Sequence, residues 1–304
     1  MTLLRADVAT DAPSCPPAPA VQTGPAQFAL PADAVDAHAH VIGAPPTHPW
    51  VADRAYTPPP ATAAAYVKML DEVGLRHGVL VQVSVHGLDN ALMLEALAAN
   101  RERLRAVVAP ALGLGDAAYQ AMTDAGTVGL RINTLSGRGG CDIARLADYA
   151  ALARDWGWHI QFLLDARTLP ELAPALARLR VPIVIDHMGH FPTAEGVGCA
   201  GFELLLALLR DGAWTKLSGA YRLSAGTVPY ADTVAYAQAL VEAAPERCVW
   251  GSDWPHVALW QAMPTVGQLL DTLATWVPDA AVRDRILTTN AHRLYHFPSG
   301  RTHP

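Results

Sequence analysis

Short apolar runs alternate with longer amphipathic segments along the chain from Val35 onward. Several runs are almost continuous Val, Ile and Leu, which is typical of strands buried on both faces of a sheet. They predict eight strands: Ala34–His38, Gly78–Val83, Leu104–Pro110, Val128–Asn133, His159–Leu164, Val181–His187, Trp214–Ser218 and Cys248–Asp253. The segments between and after them predict nine helices: Thr62–Val73, Asn90–Ala99, Asp116–Ala125, Asp142–Trp156, Leu169–Leu179, Phe202–Leu209, Tyr230–Ala244, Val266–Trp276 and Asp279–Leu287.

A strand followed by a helix, repeated eight times, indicates a parallel sheet covered by helices. The count predicts an α/β fold of the (β/α)8 TIM-barrel type, built as a single domain over residues 31–304. An open doubly wound sheet is the alternative, but no Gly-x-Gly-x-x-Gly motif follows the first strand. Residues 1–30 are rich in Ala and Pro and predict a flexible, disordered arm.

Composition and charge narrow the possible partners and the compartment. Of the 304 residues, 51% are hydrophobic, and the net charge of −6 comes from scattered residues without a cluster of Lys and Arg. This argues against nucleic acid and against an anionic membrane as partner. No apolar run approaches the roughly 20 residues that span a bilayer. The cysteines are far apart, and they predict unpaired thiols and a cytoplasmic location. They are Cys15, Cys141, Cys199 and Cys248.

Polar residues that can carry chemistry lie where three predicted strands end. His38 and His40 are two residues apart, so both side chains leave the same face of the first strand. His187 ends the sixth strand and Asp253 ends the eighth. Active sites of TIM barrels form at the carboxyl ends of the strands, so we expect these four residues to be catalytic. A helix cap is the alternative role for Asp253.

The strand ends also carry groups suited to an acidic substrate. An arginine there can bind a carboxylate through two parallel hydrogen bonds, although it could instead pair with a carboxylate at a helix end. The residues predicted to bind substrate are Arg131, Arg222, Tyr56, Ser84, His86, Asn133, His190 and His256. The histidines predicted to be structural are His48, His77, His292, His296 and His303.

Seven motifs, taken in chain order, resemble the amidohydrolase superfamily and specifically its lactonase branch. That branch includes the 2-pyrone-4,6-dicarboxylate lactonases and the sulfomuconolactone hydrolases. The motifs are Asp36-Ala37-His38-Ala39-His40-Val41, Tyr56-Thr57-Pro58, Val81 to Asn90, Gly129-Leu130-Arg131-Ile132-Asn133, Asp186-His187-Met188-Gly189, Lys216 to Arg222, and Trp250 to His256. The resemblance covers everything except the N-terminal arm, and it implies a barrel-shaped hydrolase.

The resemblance also bears on metal content. Two-metal members bridge their ions with a lysine or carboxylate on the fourth strand and add a histidine on the fifth, where this chain has Arg131 with Asn133 and then Gln161. The implied cofactor is at most one divalent ion, with zinc favoured by the ligand types. Its ligands would be His38, His40, His187 and Asp253. Both metal-free and zinc-containing members are known in the branch, so metal-independent catalysis is the other possibility.

The resemblance implies hydrolysis of a small anionic lactone from aromatic-compound catabolism. Asp253 would take a proton from the attacking water, while the three histidines would polarise the carbonyl or hold the ion. The dicarboxylate lactonases have an arginine where this chain has His190, so a sulfomuconolactone is a candidate substrate beside the pyrone dicarboxylate. The alternatives are a metal-dependent decarboxylase, a sugar-acid lactone hydrolase and a non-catalytic binding protein.

Overall fold

Eight parallel strands form one sheet in chain order. The computed structural model describes residues 12–135 and 140–298. The strands are β1 Val35–Ala39, β2 His77–Val81, β3 Leu104–Val108, β4 Thr127–Asn133, β5 His159–Leu163, β6 Ile183–Ile185, β7 Trp214–Leu217 and β8 Cys248–Trp250. Each strand pairs in parallel with the next one.

The sheet closes where the chain leaving β8 meets the end of β1. The Asp253 N–H donates to the His38 carbonyl at 2.8 Å, and the His40 N–H donates to the Trp254 carbonyl at 2.8 Å. These bonds join the last strand to the first, and they confirm the predicted TIM barrel. They also bring two of the predicted catalytic segments side by side.

Helices cover the outside of the barrel. They are α1 Ala63–Val73, α2 Ala91–Ala99, α3 Asp116–Ala125, α4 Leu146–Asp155, α5 Leu169–Leu176, α6 Ala200–Arg210, α7 Ala220–Leu223, α8 Val234–Ala243, α9 Val266–Trp276, α10 Ala280–Leu287 and α11 Thr289–Tyr295. The sequence pattern missed α7 and α11, because one or two turns are too short to establish a helical period. Among the described residues, no helix combines the length and the apolar character needed to cross a membrane.

The missed helix α11 covers the end of the barrel opposite the carboxyl ends of the strands. Its Tyr295 is fully buried together with strand residues such as Val35 and Val79. The His292 ring on the same helix packs against the His77 ring, with centroids 5.4 Å apart, as expected for histidines predicted to be structural. Side chains of α11 therefore pack against strand residues and close the end of the barrel opposite the cavity.

Strands β6 and β8 are shorter than predicted. His187 and Asp253 lie two and three residues beyond the last strand residue. Both have positive φ angles, 49° and 59°, so the backbone has already left the extended conformation there. The apolar pattern of the sequence locates each of these strands, but it does not show the residue at which the strand ends, because that depends on tertiary contacts. Both side chains consequently sit on loops at the mouth of the barrel.

Part of the predicted N-terminal arm lies against the barrel. Residues 12–30 follow an irregular path, but hydrogen bonds hold them to the barrel. The Cys15 N–H donates to the Thr57 carbonyl at 2.9 Å, the Trp260 indole donates to the Ser14 carbonyl at 2.9 Å, and Asp271 accepts from the backbone N–H groups of residues 26 and 27. Residues 1–11 lie outside the described part of the chain.

Candidate active site

A cavity of about 180 Å³ opens at the carboxyl ends of the strands. Nine of the predicted site residues line it: His40, Tyr56, Ser84, Arg131, Asn133, His187, His190, Arg222 and Asp253. The remaining lining is mostly apolar and includes Leu135, Leu163 and Val257. The nine predicted residues come from six of the eight strand ends, as expected for a TIM barrel.

The Asp253 carboxylate lies at the centre of the predicted catalytic group. Its Oδ1 is 3.5 Å from His40 Nε2 and 3.8 Å from His38 Nε2, and its Oδ2 is 3.9 Å from His187 Nε2. Oδ1 is buried and has no hydrogen-bond partner among the described residues. A bare carboxylate oxygen facing ring nitrogens can accept a proton or bind a cation.

The other oxygen of Asp253 is held by two donors from α7. Arg222 Nε donates to Oδ2 at 2.6 Å, and the Tyr221 hydroxyl donates to it at 2.8 Å. Burial opposes the ionised form, but the Arg222 guanidinium holds the pKa of Asp253 well below its usual range. Asp253 is therefore an anchored anion with one oxygen left for chemistry.

The two histidines of the catalytic group that line the cavity are oriented by bonds on their far sides. His40 Nδ1 is 2.7 Å from the Val81 carbonyl, which accepts only, so Nδ1 carries the proton and Nε2 presents a lone pair. His187 Nδ1 is 2.9 Å from the Ser218 hydroxyl. Burial lowers the pKa of His187 well below its ordinary value. His187 is therefore a neutral imidazole beside the Asp253 carboxylate.

Sequence reasoning missed a buried polar chain beneath these histidines. The Lys216 ammonium donates to Gln161 Oε1 at 2.7 Å, and the Gln161 amide donates to Asp186 Oδ2 at 3.0 Å. Burial lowers the pKa of Lys216 to about 8. A lysine within the apolar strand Trp214–Leu217 is the signal that could have revealed this chain, because every position of that strand is buried.

A second missed residue, Asp36, holds the junction between β1 and β8. It accepts hydrogen bonds from the Ser252 N–H at 2.8 Å, from the Ser252 hydroxyl at 2.6 Å and from the Tyr66 hydroxyl at 3.1 Å. Burial raises the pKa of Asp36 to about 6, although these donors favour its ionised form. Asp36 positions the backbone on which His38 and Asp253 are carried.

Three predicted site residues, His38, His86 and His256, lie behind the cavity lining. The His86 ring bonds the backbone of the β1–α1 loop, with Nε2 accepting from the Gly43 N–H at 3.1 Å. His256 Nδ1 is 3.1 Å from the Tyr221 hydroxyl. Direct substrate contact by His86 and His256 stays a prediction. Of the residues predicted to be structural, His303 lies outside the described part of the chain.

The predicted four-residue metal set divides into two groups. Ligand atoms of His38, His40 and Asp253 lie within 4.8 Å of one another, and His187 groups instead with His38 and Asp186. The lone pair of His40 Nε2 and the bare Asp253 Oδ1 fit a divalent ion. His38 fits only if its Nε2 also carries a lone pair. His38, which belongs to both groups, therefore determines whether His40 and Asp253 are joined by a third ligand.

Comparisons with known proteins identify the family of the chain. The family model described as amidohydrolase matches residues 35–297. The chain is 36% identical over 283 residues to a 4-sulfomuconolactone hydrolase of Rhizobium radiobacter, covering 91% of this chain and 94% of that protein. It is 35% identical over 289 residues to a 2-pyrone-4,6-dicarboxylate hydrolase of Comamonas testosteroni, covering 88% and 92%.

Solved structures extend the comparison to the fold. An Acinetobacter baumannii protein with citric acid bound has a TM-score of 0.76 at 27% identity, covering 87% of this chain and 100% of that one. The sequence match spans nearly the whole barrel, and the polar strand ends that carry the resemblance converge on one cavity. The chain belongs to the amidohydrolase family.

Proposed function

We propose that this protein hydrolyses a small lactone that carries acidic groups. The observation that carries the proposal is the bare Oδ1 of Asp253, which faces the His40 ring in a cavity also lined by Arg131 and Arg222. Lactone opening requires a base for the attacking water and polar groups for the developing oxyanion. The cavity contains candidates for both requirements.

The proposed nucleophile is a water held between Asp253 Oδ1 and His40 Nε2. Both atoms accept hydrogen bonds, and they are 3.5 Å apart, so one water molecule can donate to both. As the water attacks the lactone carbonyl, Asp253 takes its proton and later delivers it to the leaving ring oxygen. The ring C–O bond breaks and a hydroxy acid, or its keto form, is released. No step in this sequence is assigned to a metal ion.

Arginine placement supports recognition of an acidic substrate. Arg131 is largely buried, lines the cavity and donates one Nη to the Gln82 carbonyl at 3.0 Å. Arg222 also lines the cavity but is already paired with Asp253. The relatives named for sulfomuconolactone and pyrone dicarboxylate, and the structure with citric acid bound, all concern small polyacidic molecules. We therefore place the acidic groups of the substrate beside the two arginines.

The Arg222–Asp253 pair would couple recognition to base strength. At 2.6 Å the guanidinium stabilises the carboxylate and makes it a weak base. A substrate acid group that bonds Arg222 would share that positive charge and raise the pKa of Asp253 toward a more effective value. A neutral lactone of the same size would leave the pair intact, so we expect it to react more slowly.

A turnover screen tests the proposal. The substrates are 4-sulfomuconolactone, 2-pyrone-4,6-dicarboxylate, a sugar-acid lactone and an uncharged lactone, with acid release followed by titration and carbon dioxide measured in the same vessel. We expect acid release with the doubly acidic lactones and none with Asp253→Asn. Carbon dioxide release would establish the decarboxylase alternative, and saturable binding without turnover would establish the binding-protein alternative.

A further inference from the structure

The buried side chain of Lys216 has no role in the proposed reaction sequence. It is fully buried in β7, and its Nζ reaches three groups. These are Gln161 Oε1 at 2.7 Å, His38 Nδ1 at 3.3 Å and Asp186 Oδ1 at 3.5 Å. A lysine ammonium donates hydrogen bonds and accepts none. The contact with His38 therefore bears directly on where the proton of that ring resides.

Two groups compete for His38 Nδ1. Asp186 Oδ1 approaches it to 3.2 Å, the arrangement in which a carboxylate would accept an Nδ1–H bond. However, Asp186 Oδ1 has no hydrogen-bond partner among the described residues. His38 Nδ1 and Asp186 Oδ1 are thus close enough for a hydrogen bond but are not aligned for one. Lys216 Nζ does meet the geometry of a hydrogen bond to Nδ1. If Nδ1 of His38 carried a proton, its N–H group and the Lys216 ammonium would be two donors facing each other without an acceptor between them.

We propose that Lys216 fixes the tautomer of His38, leaving Nδ1 bare and placing the proton on Nε2. The Nε2–H then lies 3.8 Å from the bare Oδ1 of Asp253. His40 has the opposite tautomer, because the Val81 carbonyl takes its Nδ1–H. The two histidines of the His-x-His motif thus differ in function, one presenting a donor and the other an acceptor.

This assignment makes Lys216 a positioning residue that acts through His38. The donor role of Nε2 in hydrolysis, toward Asp253 or toward the oxyanion, rests on the proposed function, whereas the tautomer itself does not. A divalent ion needs a lone pair on Nε2. To provide it, the His38 proton would have to move to Nδ1, against Lys216. We therefore expect this chain to hold zinc weakly even though His40 and Asp253 fit the ion.

Nitrogen NMR on the full-length protein as purified tests the tautomer without substrate. The chain is labelled with 15N in the histidine rings, and the His38 signals are identified by their loss in His38→Gln. We expect the Nε2 shift of a protonated nitrogen and the Nδ1 shift of a bare one. A proton on Nδ1 would overturn the proposal, whatever lactone the enzyme hydrolyses.

Zinc titration of Lys216→Met provides a second measurement. Methionine keeps much of the volume but removes the donor, so His38 can protonate at Nδ1 toward Asp186. Outer-shell partners typically change metal affinity about 10–100-fold, and we expect zinc to bind more tightly by that factor. Lys68→Met is the matched control, because Lys68 is exposed and pairs with Glu72 on α1. If Lys216→Met fails to fold, the wild-type spectrum still decides; unchanged or weaker zinc binding by folded Lys216→Met would contradict the proposal.

Discussion

Replacement of Asp253 by asparagine tests the centre of the proposed site. The amide has nearly the same shape as the carboxylate, but it cannot accept the proton of the attacking water. Loss of a general base typically lowers the rate about 10²–10⁴-fold. By transition-state theory this corresponds to about 3–5 kcal/mol of barrier. We expect kcat to fall by this factor and KM to change less.

The same substitution leaves Arg222 without its anionic partner. The guanidinium is only 14% exposed and bonds Asp253 at 2.6 Å. Removing one member of a buried ion pair costs about 3–5 kcal/mol, and the lower value applies here because Arg222 also faces the open cavity. Unfolding should therefore occur roughly 6 °C lower, at about 2 °C per kcal/mol for a chain of this size.

The assay compares Asp253→Asn with Tyr221→Phe. Tyr221 donates to the same carboxylate oxygen at 2.8 Å, so its phenylalanine variant disturbs the anion while keeping the base. We expect Tyr221→Phe to keep more turnover than Asp253→Asn, because the base is retained and Arg222 still bonds it; complete loss of one hydrogen bond to a charged group, worth about 1.5–3 kcal/mol, corresponds to at most about 10–150-fold. A folded Asp253→Asn enzyme with turnover near that of wild type would refute the assignment of Asp253 as the base.

Three further predictions follow from the site and its supports. Arg131→Met and Arg222→Met should each remove a charge-assisted hydrogen bond worth about 1.5–3 kcal/mol, and so lower kcat/KM more for an acidic lactone than for an uncharged one. Only Arg222→Met should also shift the pH profile of the reaction. Equal losses of kcat/KM on both lactones would mean that the arginines are structural. Burial lowers the pKa of His38 to about 3 and holds the pKa of His187 well below its ordinary value, compared with about 6.5 in an unfolded chain. Protons then bind the unfolded state preferentially, so the melting temperature should fall as the pH decreases from about 6.5 to 4, and a flat profile would contradict these shifts. Gly251→Ala should destabilise the fold by about 1–3 kcal/mol in chemical denaturation, because the new Cβ would lie 2.6 Å from the Cβ of His38, whereas Gly198→Ala meets nothing within 4 Å and should be neutral.

The sequence was sufficient to predict the barrel, because its determinants are local. Apolar runs of five to seven residues, separated by segments with a helical period, indicate parallel strands with crossover helices, and eight such strands can close into a barrel. The carboxyl ends of such strands lie at one edge, so the convergence of His40, His187 and Asp253 was also predictable. Helix α11 was not, since it is stabilised by contacts with distant parts of the chain.

Tertiary structure alone decided how the site residues are paired. Arg222 and Asp253 were predicted as separate substrate-binding and catalytic groups, and α7 joins them in an ion pair at 2.6 Å. Lys216 begins one of the sequence motifs but was predicted to have no role, and the barrel directs its ammonium to His38. Residue identity and strand position determine which groups reach the cavity, because side chains alternate along a strand. Which atom donates to which depends on distances of a few tenths of an ångström between strands far apart in sequence, and only the closed barrel sets those distances.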